Sequence, residues 1–531
     1  VLTATHRTAD TVLTYELATS PAGTWGGEVS SLALQRIAVI DIGSNSGRVV
    51  VLQIRDDGAL DVIDELRAPL RLARAIDFSG RLTSEAFDTT LTAMGDFVAL
   101  ARGQGAEEIR AVGTFAMREA ENGRVLAELI RDRFGVHVEI VDGYREARFG
   151  FAGAVYGIDV TDGLSMDIGG GSMQLVRFHN RTAEYAWTFP FGALRLTDTL
   201  LPSDPPRTSE VRDFRRYLRD ALTDAGVPVL DSGEAFAGTG GTIRNLAKID
   251  LRRQRPYPLT RLHAYEMPQE RVRRMARSLA RMPLAKRATV PGLNSGRVDS
   301  IAAGALAVDT VMQFIGAGSL HVSGQGLREG VIRSMALESL PSAGAVRTAS
   351  VRALCSEFSR WSQPHADRRS RLAEDLFDLL TPGADPRLRE ALTHAAQILD
   401  VGATIDVYNR HERAADIVVG SDLQGFSHAL LVAVASVLRL AERPGVSLKG
   451  FRPVVDAFDP EQLESTAAIL DLADQVERRS PPDAPTTPTV AIVDGELQVR
   501  APVSRWWKAD DLAPRVHGTF GLGLLVDGSG E

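Results

Sequence analysis

The sequence predicts an α/β protein of several domains whose first half contains two similar parts. The chain has 531 residues, which is more than one hydrophobic core organises, so several domains are expected. A strand, a turn that starts with Asp-x-Gly and a second strand occur at 37–54 and again at 164–178. Strand and helix patterns alternate around these turns. Such alternation is typical of α/β domains, and the repeated hairpin indicates duplicated halves.

Periodicity places the individual elements. Strand patterns occur at 109–112 and 136–141. Helical patterns in the first part of the chain lie at 84–102, 123–134, 210–222, 269–281 and 295–314. Further amphipathic helical runs lie at 368–380, 388–399 and 429–441. The chain is therefore expected to change from α/β to all-α after about residue 345.

Five segments follow from these patterns. Residues 1–35 lack both periodicity and a signal-peptide pattern, so they are predicted to be a disordered or loosely attached extension. Residues 36–160 and 161–340 form two α/β domains, each with one glycine-rich hairpin. Residues 346–479 form a helical domain, and a linker leads to a small α+β domain at 490–531. This last domain begins with a hairpin around the Asp-Gly pair at 494–495.

The composition fits an ordinary globular protein. Hydrophobic residues make up 44% and charged residues 24% of the chain, and no stretch approaches the roughly 20 apolar residues of a membrane span. The single cysteine, Cys355, cannot form an internal disulfide, which fits a reducing compartment. We therefore expect a cytoplasmic protein without a membrane partner.

The charge of the chain argues against nonspecific binding to nucleic acid. The formal net charge is −8, whereas a nonspecific polyanion binder needs a basic surface. All but four of the 60 cationic residues are arginine. Although base composition also explains many arginines, those that converge can bind phosphate through two parallel hydrogen bonds.

Both glycine-rich turns are predicted to bind phosphate, because glycine lets backbone amides approach an anion closely. One such turn alone is more often an ordinary hairpin, but two matched turns favour a clamp on adjacent phosphoryl groups. The predicted phosphate-binding residues are Gly43, Ser44, Asn45 and Ser46 in the first turn and Gly169, Gly170, Gly171 and Ser172 in the second.

An aspartate opens each turn and is predicted to bind Mg²⁺. Asp41 and Asp167 each follow a short apolar strand. Magnesium binds a few carboxylates together with phosphate oxygens and water, so two aspartates are enough. A single aspartate at the end of a strand commonly caps the turn. A matched pair favours a metal site instead.

Nine ordered motifs resemble those of the exopolyphosphatase and guanosine pentaphosphate phosphohydrolase family. The resemblance covers 36–333 and implies an actin-like (ribonuclease H-like) fold for both α/β domains and, by analogy, a homodimer. The motifs read DIGSNSGR, GTFAMREA, GYREARFG, DIGGGSMQL, FGALRLT, GTGGTIRNLA, LHAYEM, PGLNSGRVDSIAAGAL and VSGQGLREG.

The resemblance implies functional roles for three charged residues. Glu146 matches the catalytic carboxylate that orients or deprotonates the attacking water. Arg118 matches an arginine that contacts phosphate and neutralises charge on the transferring group. Arg297 is a candidate for binding the chain of a longer substrate. Without the resemblance, Glu146 reads as a solvated surface residue and the two arginines as helix-surface residues.

Two features leave the prediction open. The turn with Gly240, Gly241 and Thr242 corresponds to the nucleoside-binding position of actin-like relatives, but it can be purely structural in a polyphosphatase. The second phosphate loop of the family usually ends in Ser-Thr-Glu, whereas Gln174 stands at the glutamate position here. A neutral amide cannot act as a base and binds Mg²⁺ less well. Activity is therefore expected to be slower, altered in metal dependence, or absent with phosphate binding retained.

The helical domain resembles a degraded HD-type domain. The resemblance rests on the segment 364–380, and the His-Asp pair of such domains is replaced here by residues 399–400, Leu-Asp. His365, His394 and His411 remain without that pair. A second metal-dependent hydrolase is therefore not expected. The domain is expected to support dimerisation or to extend the substrate channel.

Together, these features predict an exopolyphosphatase that uses Mg²⁺ to release terminal orthophosphate from inorganic polyphosphate. A guanosine pentaphosphate 5′-phosphohydrolase is the alternative within the same enzyme class. A noncatalytic sensor of polyphosphate or of the alarmone is favoured by Gln174 and disfavoured by Glu146 and Arg118. A sugar kinase is disfavoured by the GYREAR and GLREG strings.

Overall fold

A computed structural model describes residues 12–16, 35–55, 60–76, 79–336, 339–481, 488–504 and 506–530. The chain divides into two compact units. The first unit comprises Val1–Gln254 and Leu262–Val346, and the second comprises Arg255–Arg261 and Arg347–Glu531. Both glycine-rich turns lie in the first unit.

Strands and helices alternate through the first unit, as the sequence predicts. The elements up to residue 156 are β1 (Leu13–Glu16), β2 (Arg36–Ile42), β3 (Ser46–Ile54), β4 (Leu60–Pro69), α1 (Ser84–Gly103), β5 (Glu108–Gly113), α2 (Phe115–Glu119), α3 (Gly123–Phe134), β6 (Val138–Ile140) and α4 (Gly143–Tyr156). Those that follow are β7 (Gly163–Ile168), β8 (Met173–His179), β9 (Thr182–Phe189), α5 (Ala193–Leu200), α6 (Thr208–Asp224), β10 (Ala235–Thr239), α7 (Gly241–Arg253), β11 (Tyr265–Pro268), α8 (Gln269–Ala280), α9 (Leu284–Arg287), α10 (Ile301–Ile315), β12 (Ser319–Val322) and α11 (Leu327–Ala336).

The two sheets of this unit repeat one arrangement. In the described residues, the first sheet has the strand order β4-β3-β2-β5-β6 and the second the order β1-β9-β8-β7-β10-β12-β11. In each sheet, a hairpin (β2 with β3, β7 with β8) is antiparallel, and its first strand is also paired in parallel with a later strand. Asp41 and Asp167 occupy equivalent places near the ends of these central strands. The repeat seen in the sequence is thus a structural repeat.

The central strand β2 is buried on both faces, which explains its almost continuous apolar sequence. Its residues Ile37, Val39 and Ile40 have no exposed surface. Helices cover such strands on both sides, so both the odd and the even positions must be apolar. Burial of this strand fixes the position of the turn that follows it.

Three sequence-based expectations need correction here. Residues 13–16 of the extension predicted to be disordered form β1, which pairs antiparallel with β9, and Tyr15 packs edge-on against Tyr144. The rest of that extension, apart from residues 12 and 35, lies outside the described residues. The helix predicted at 295–314 begins only at Ile301, because Ser295–Arg297 form a 3₁₀ turn.

The third correction concerns α11, which the sequence places in the second α/β domain. Its residues Val331 and Ile332 belong to a buried cluster with Ile37 and Val39 of the first sheet. The end of the predicted segment 161–340 therefore packs against the sheet of the segment 36–160. A local pattern cannot show this return of the chain, because it depends on which apolar faces meet in space.

The second unit has a helical core with a small sheet. Its elements, with the helix that leads into it, are α12 (Ala343–Ser356), α13 (Gln363–Leu380), α14 (Pro386–Ile398), α15 (Arg410–Gly420), α16 (His428–Glu442), α17 (Pro460–Glu477), β13 (Thr489–Val493), β14 (Glu496–Ser504), α18 (Ala513–Phe520) and β15 (Gly523–Gly530). The predicted hairpin around 494–495 joins β13 and β14. Leu497, Val499 and Val526 of the small sheet belong to one buried cluster with the helices, so the described part of the segment 490–531 shares its core with them.

Candidate functional site

The two glycine-rich hairpins, formed by β2 with β3 and by β7 with β8, touch one another. A Cβ atom added to Gly170 would lie 3.1 Å from Cβ of Asn45, and one added to Gly171 would lie 2.7 Å from Oγ of Ser44. The second distance is shorter than real Cβ contacts allow. Glycine is therefore required at 171, and it lets the second turn lie directly against the first.

A cavity of about 110 Å³ opens where the hairpins meet. Its volume is well below the roughly 300–1,000 Å³ of pockets for drug-sized ligands, so it suits one end of a ligand. The lining residues are Asp41, Gly43, Ser44, Asn45, Ser46, Arg48, Thr114, Glu146, Asp167, Gly169, Gly170, Gly171, Ser172, Gln174, Thr239, Gly240, Gly241, Arg244, Arg297, Gly326, Leu327, Arg328 and Glu329.

Nearly all residues singled out in the sequence lie at this cavity. The exceptions are Arg118 and Thr242, which are not among its lining residues. Thr242 is fully buried on α7. The guanidinium of Arg118 donates a hydrogen bond to Glu146, and a contact of Arg118 with phosphate stays a prediction.

Glu146 is held in place by hydrogen bonds from two sides. Nη1 of Arg118 donates to Oε2 at 2.9 Å and also to the carbonyl oxygen of Val141 at 2.7 Å. The Ser172 hydroxyl donates to Oε1 of Glu146 at 3.3 Å, and Nε2 of Gln174 donates to Oγ of Ser172 at 3.0 Å. Because each group is fixed by the next, the carboxylate is oriented before any ligand arrives.

Glu146 is buried and Asp41 and Asp167 are half-buried, and the loss of water around each carboxylate raises its pKa. The pKa of Asp41 rises to about 6; Arg328 opposes this shift and the charge of Glu146 adds to it. Burial raises the pKa of Glu146 against the opposing charge of Arg118. It also raises the pKa of Asp167 against the charge of Arg244. A metal ion or an ordered cation would stabilise the ionised carboxylates in such a place.

Arginines converge on the same cavity. Burial, together with the guanidinium groups of Arg244 and Arg328, lowers the pKa of Arg48 to about 9. Burial and the charge of Arg67 lower the pKa of Arg297 to about 10. Nε and Nη1 of Arg297 and Nη1 of Arg328 are buried without a hydrogen-bond partner among the described residues. These unused donors indicate an anionic ligand.

Sequence reasoning missed several of these charged residues. Arg48, Arg244, Arg328 and Glu329 line the cavity, yet the sequence analysis gave none of them a role. Each one stands just after a glycine turn inside a motif that carried the family resemblance. The three arginines could have been predicted from the sequence, because each is a cationic residue that closely follows a glycine turn.

The pair of aspartates fits a divalent metal ion. Oδ1 of Asp41 is buried and has no hydrogen-bond partner among the described residues. In the same part of the chain, no group of three or more His, Cys, Asp or Glu residues is arranged to bind a metal. A site of two carboxylates completed by water and phosphate oxygens is the type that Mg²⁺ prefers, because Mg²⁺ keeps several waters.

Two arginines bind two aspartates of the second unit. Asp400 accepts hydrogen bonds from Arg369 and Arg410, both at 2.8 Å. Asp474 accepts hydrogen bonds from the same two side chains, and Nη1 of Arg369 lies 3.1 Å from its Oδ1. Burial lowers the pKa of His411 to about 4, so this ring is neutral beside them. Two positive charges thus neutralise two carboxylates.

None of the described helices, over the ranges given above, is both long and apolar enough to cross a bilayer.

Family models match both units. The model described as the Ppx/GppA phosphatase family matches residues 50–339, and the one described as Ppx/GppA phosphatase, domain III, matches residues 346–512. The first match covers more than half of the chain. The predicted third domain therefore has a counterpart in the family, although the HD-like character of its helices stays a prediction.

Individual relatives agree with the family models. Exopolyphosphatase 1 of Mycobacterium leprae is 31% identical over 301 residues, which are 56% of this chain and 88% of that protein. Exopolyphosphatase 2 of Mycobacterium tuberculosis is 30% identical over 322 residues, covering 57% of this chain and all of that protein. The solved structure of the Aquifex aeolicus Ppx/GppA family member covers 56% of this chain and 97% of its own, with 28% identity and a TM-score of 0.51. These matches confirm the resemblance and the actin-like fold of the first part.

Proposed function

This chain belongs to the Ppx/GppA phosphatase family, and on that premise we propose that it releases terminal orthophosphate from inorganic polyphosphate. Its relatives are named exopolyphosphatases, which are phosphoanhydride hydrolases. The predicted enzyme class is confirmed at that level. The substrate, the metal and the roles of single residues are the proposal argued below.

The observation that carries the proposal is the cluster of buried and half-buried arginines at the hairpins. Guanidinium groups of Arg48, Arg244, Arg297 and Arg328 line one small cavity, and several of their donors are unused. The carboxylates of Asp41, Glu146, Asp167 and Glu329 line the same cavity, yet they leave these donors without hydrogen-bond partners, and a buried donor without a partner is costly. A phosphate chain offers several negative charges and many acceptor oxygens. It would satisfy the donors that the protein leaves open.

The reaction needs a base that is close to the terminal phosphorus. We assign this role to Glu146, whose carboxylate lines the cavity and has a raised pKa. Glu146 takes a proton from water as the water oxygen bonds to the terminal phosphorus. The bond from that phosphorus to the bridging oxygen breaks, and the shortened chain leaves with the oxygen. Proton transfer by a positioned carboxylate contributes typically 10²–10⁴-fold to a rate.

The neighbours of Glu146 position it. Arg118 fixes one carboxylate oxygen, and Ser172 fixes the other. Gln174 stands where the family usually has glutamate, and its amide holds the Ser172 hydroxyl. We therefore assign Gln174 a positioning role. This assignment favours an active enzyme over a noncatalytic sensor, since the neutral amide orients the base.

Asp41 and Asp167 would hold a divalent metal ion, for which we propose Mg²⁺. Phosphatases of this family generally depend on divalent metals, and the unpartnered oxygen of Asp41 fits such an ion. When bound, the ion would neutralise charge on the phosphate oxygens. The backbone amides of the hairpins and the arginines would share that task. The predicted homodimer and cytoplasmic location stay predictions.

Guanosine pentaphosphate is the alternative substrate, and the small cavity would accept its terminal phosphate equally well. The test is orthophosphate release from long-chain polyphosphate and, in parallel, from guanosine pentaphosphate, with Mg²⁺ or with EDTA. Glu146→Ala is the variant, and Glu107→Ala, on an exposed surface, is its matched control.

We expect metal-dependent release from polyphosphate by the wild type and by Glu107→Ala, and loss of release in Glu146→Ala. Release from guanosine pentaphosphate alone would mean that this alarmone, and not polyphosphate, is the substrate, while the proposed mechanism would be unchanged. No release from either substrate, with tight binding of polyphosphate, would identify a sensor.

A further inference from the structure

The first phosphate hairpin is anchored from behind by the segment that follows β4. The backbone amide of Arg71 donates to the carbonyl oxygen of Asn45 at 3.1 Å, and that of Ala73 donates to the carbonyl of Ser44 at 3.0 Å. Arg71 adopts φ 51° and ψ 32°. A residue other than glycine adopts this left-handed conformation only at an energetic cost. The surrounding contacts must therefore hold the segment in place.

The second phosphate hairpin is anchored in the same way by α5. The amide of Ala193 donates to the carbonyl oxygen of Gly169, and the amide of Leu194 donates to that of Gly170, both at 3.0 Å. The amides in the first turn of α5 have no partner within the helix, and they donate to the carbonyl oxygens of the hairpin instead. Any displacement of α5 would displace the hairpin with it.

One arginine joins these two anchors. Nε and Nη2 of Arg74 donate to the two carboxylate oxygens of Asp198 on α5, at 2.9 and 2.8 Å. Nη1 of Arg74 donates to Oδ2 of Asp299 at 2.5 Å. Such a two-point contact fixes direction as well as distance, which a lysine cannot do. The guanidinium therefore links the backs of both hairpins.

Asp299 extends this link to the cavity itself. It also accepts a hydrogen bond from Nη1 of Arg71 at 2.9 Å. It stands two positions after Arg297, which lines the cavity, and its charge favours the protonated form of that arginine. The ion pairs thus connect both hairpins and one of the phosphate-facing arginines.

We propose that Arg74 is a positioning residue that clamps the two phosphate hairpins at the separation needed for adjacent phosphoryl groups. This proposal depends on the proposed function in one respect only, namely that the ligand held between the hairpins is a phosphate chain. Isolated surface ion pairs contribute little to stability. Arg74 differs from such pairs because two carboxylates bind one guanidinium. In addition, the segment that carries Arg74 and the helix that carries Asp198 each donate hydrogen bonds to a hairpin backbone.

The kinetic test uses inorganic tripolyphosphate as the substrate. The variants are Arg74→Ala, Asp198→Ala and the double variant, and Arg216→Ala, which breaks an exposed pair with Asp213, is the control. We expect kcat to fall about tenfold or more in Arg74→Ala, because small displacements of reacting groups reduce rates strongly. The double variant should be no slower than Arg74→Ala, since both changes break one link. The clamp would be overturned if Arg74→Ala kept the kcat and KM of the wild type. It would also be overturned if the effects of Arg74→Ala and Asp198→Ala on kcat simply added in the double variant.

A distance measurement tests the clamp without relying on activity. Because the only cysteine, Cys355, is buried, spin labels can be attached selectively at Glu128→Cys on α3 and Asp220→Cys on α6, both exposed positions. The label-to-label distance should be narrowly distributed in the parent protein and longer or broader once Arg74→Ala is added. An unchanged distribution would overturn the clamp even if activity is lost. Failure of the parent protein to hydrolyse tripolyphosphate or polyphosphate would instead count against the proposed function.

Discussion

A guanidinium nitrogen of Arg118 lies 2.9 Å from Oε2 of Glu146. The arginine belongs to the short helix α2 and the glutamate to the first turn of α4, so the pair joins two separate elements. The charge of Arg118 lowers the pKa of Glu146, while burial raises it more. This balance keeps a buried carboxylate available as a base, and it can be altered by one substitution.

Arg118→Met should lower kcat by roughly ten- to a hundredfold, because Glu146 loses its orientation. It should also move the acid limb of the pH profile to higher pH. The sign follows from charge: removing a cation raises the pKa of Glu146, and the base works only when deprotonated. The measurement is kcat/KM for polyphosphate from pH 5 to 9 at saturating metal. Arg118→Lys, which keeps the charge, should leave the acid limb near its original place.

Asp41→Asn should stabilise the metal-free protein while abolishing activity. The pKa of Asp41 is about 6 in the folded protein and about 3.9 in an unfolded chain. The folded state therefore binds this proton more tightly, and the resulting stability is lost as the pH rises through about 6. At pH 7.5 the asparagine variant should exceed wild type by up to about 3 kcal/mol in free energy of unfolding.

Urea denaturation in EDTA measures this difference, which should vanish near pH 4. Asp220→Asn, at an exposed position, provides the control. Identical denaturation midpoints of wild type and Asp41→Asn at pH 7.5 would show that the buried carboxylate carries no such cost.

Gln174→Ala should reduce kcat about two- to tenfold, because one hydrogen bond is worth about 0.5–1.5 kcal/mol. The lost bond is the one from the Gln174 amide to the Ser172 hydroxyl. KM should change less than kcat, since Gln174 acts on Glu146 through Ser172. An unchanged kcat would mean that Ser172 keeps its place without the amide.

Arg369→Met should destabilise the second unit by about 3–5 kcal/mol, because it leaves the buried Asp474 and the half-buried Asp400 with one cation fewer. Thermal denaturation of the full chain measures the effect. Arg389→Met, which breaks an exposed pair with Asp378, should cost less than about 1 kcal/mol. EDTA should leave this transition unchanged, since arginines neutralise the two aspartates.

Local sequence patterns predicted much of the fold. The helices expected at 84–102, 123–134, 210–222 and 269–281 all form within two residues of those bounds, because their apolar spacing matches the helical period. The pairing of β1 with β9 was not foreseen. Residues 13–16 show no pattern of their own, and pairing depends on an edge strand that lies far along the chain.

The candidate site was predicted where glycines and paired aspartates stand close in sequence. Asp41, Glu146 and Asp167 all reach one cavity. The hydrogen bond from Arg118 to Glu146 was not predicted from the sequence, and a contact of Arg118 with phosphate stays a prediction. The chain has 56 arginines, and the sequence alone does not show which of them come together at the cavity, because this depends on the folded structure. Arg74 could be assigned a role only once both hairpin backbones were placed.

The most direct test of the central claim is hydrolysis of long-chain polyphosphate in ¹⁸O-labelled water at saturating Mg²⁺. The wild type should release orthophosphate from the first turnover, with one labelled oxygen in each molecule and no oligophosphate fragments. Glu146→Gln should lower that rate at least about a hundredfold. Internal fragments, absence of release by the wild type, or a wild-type rate in Glu146→Gln would contradict an exopolyphosphatase that uses this glutamate as its base.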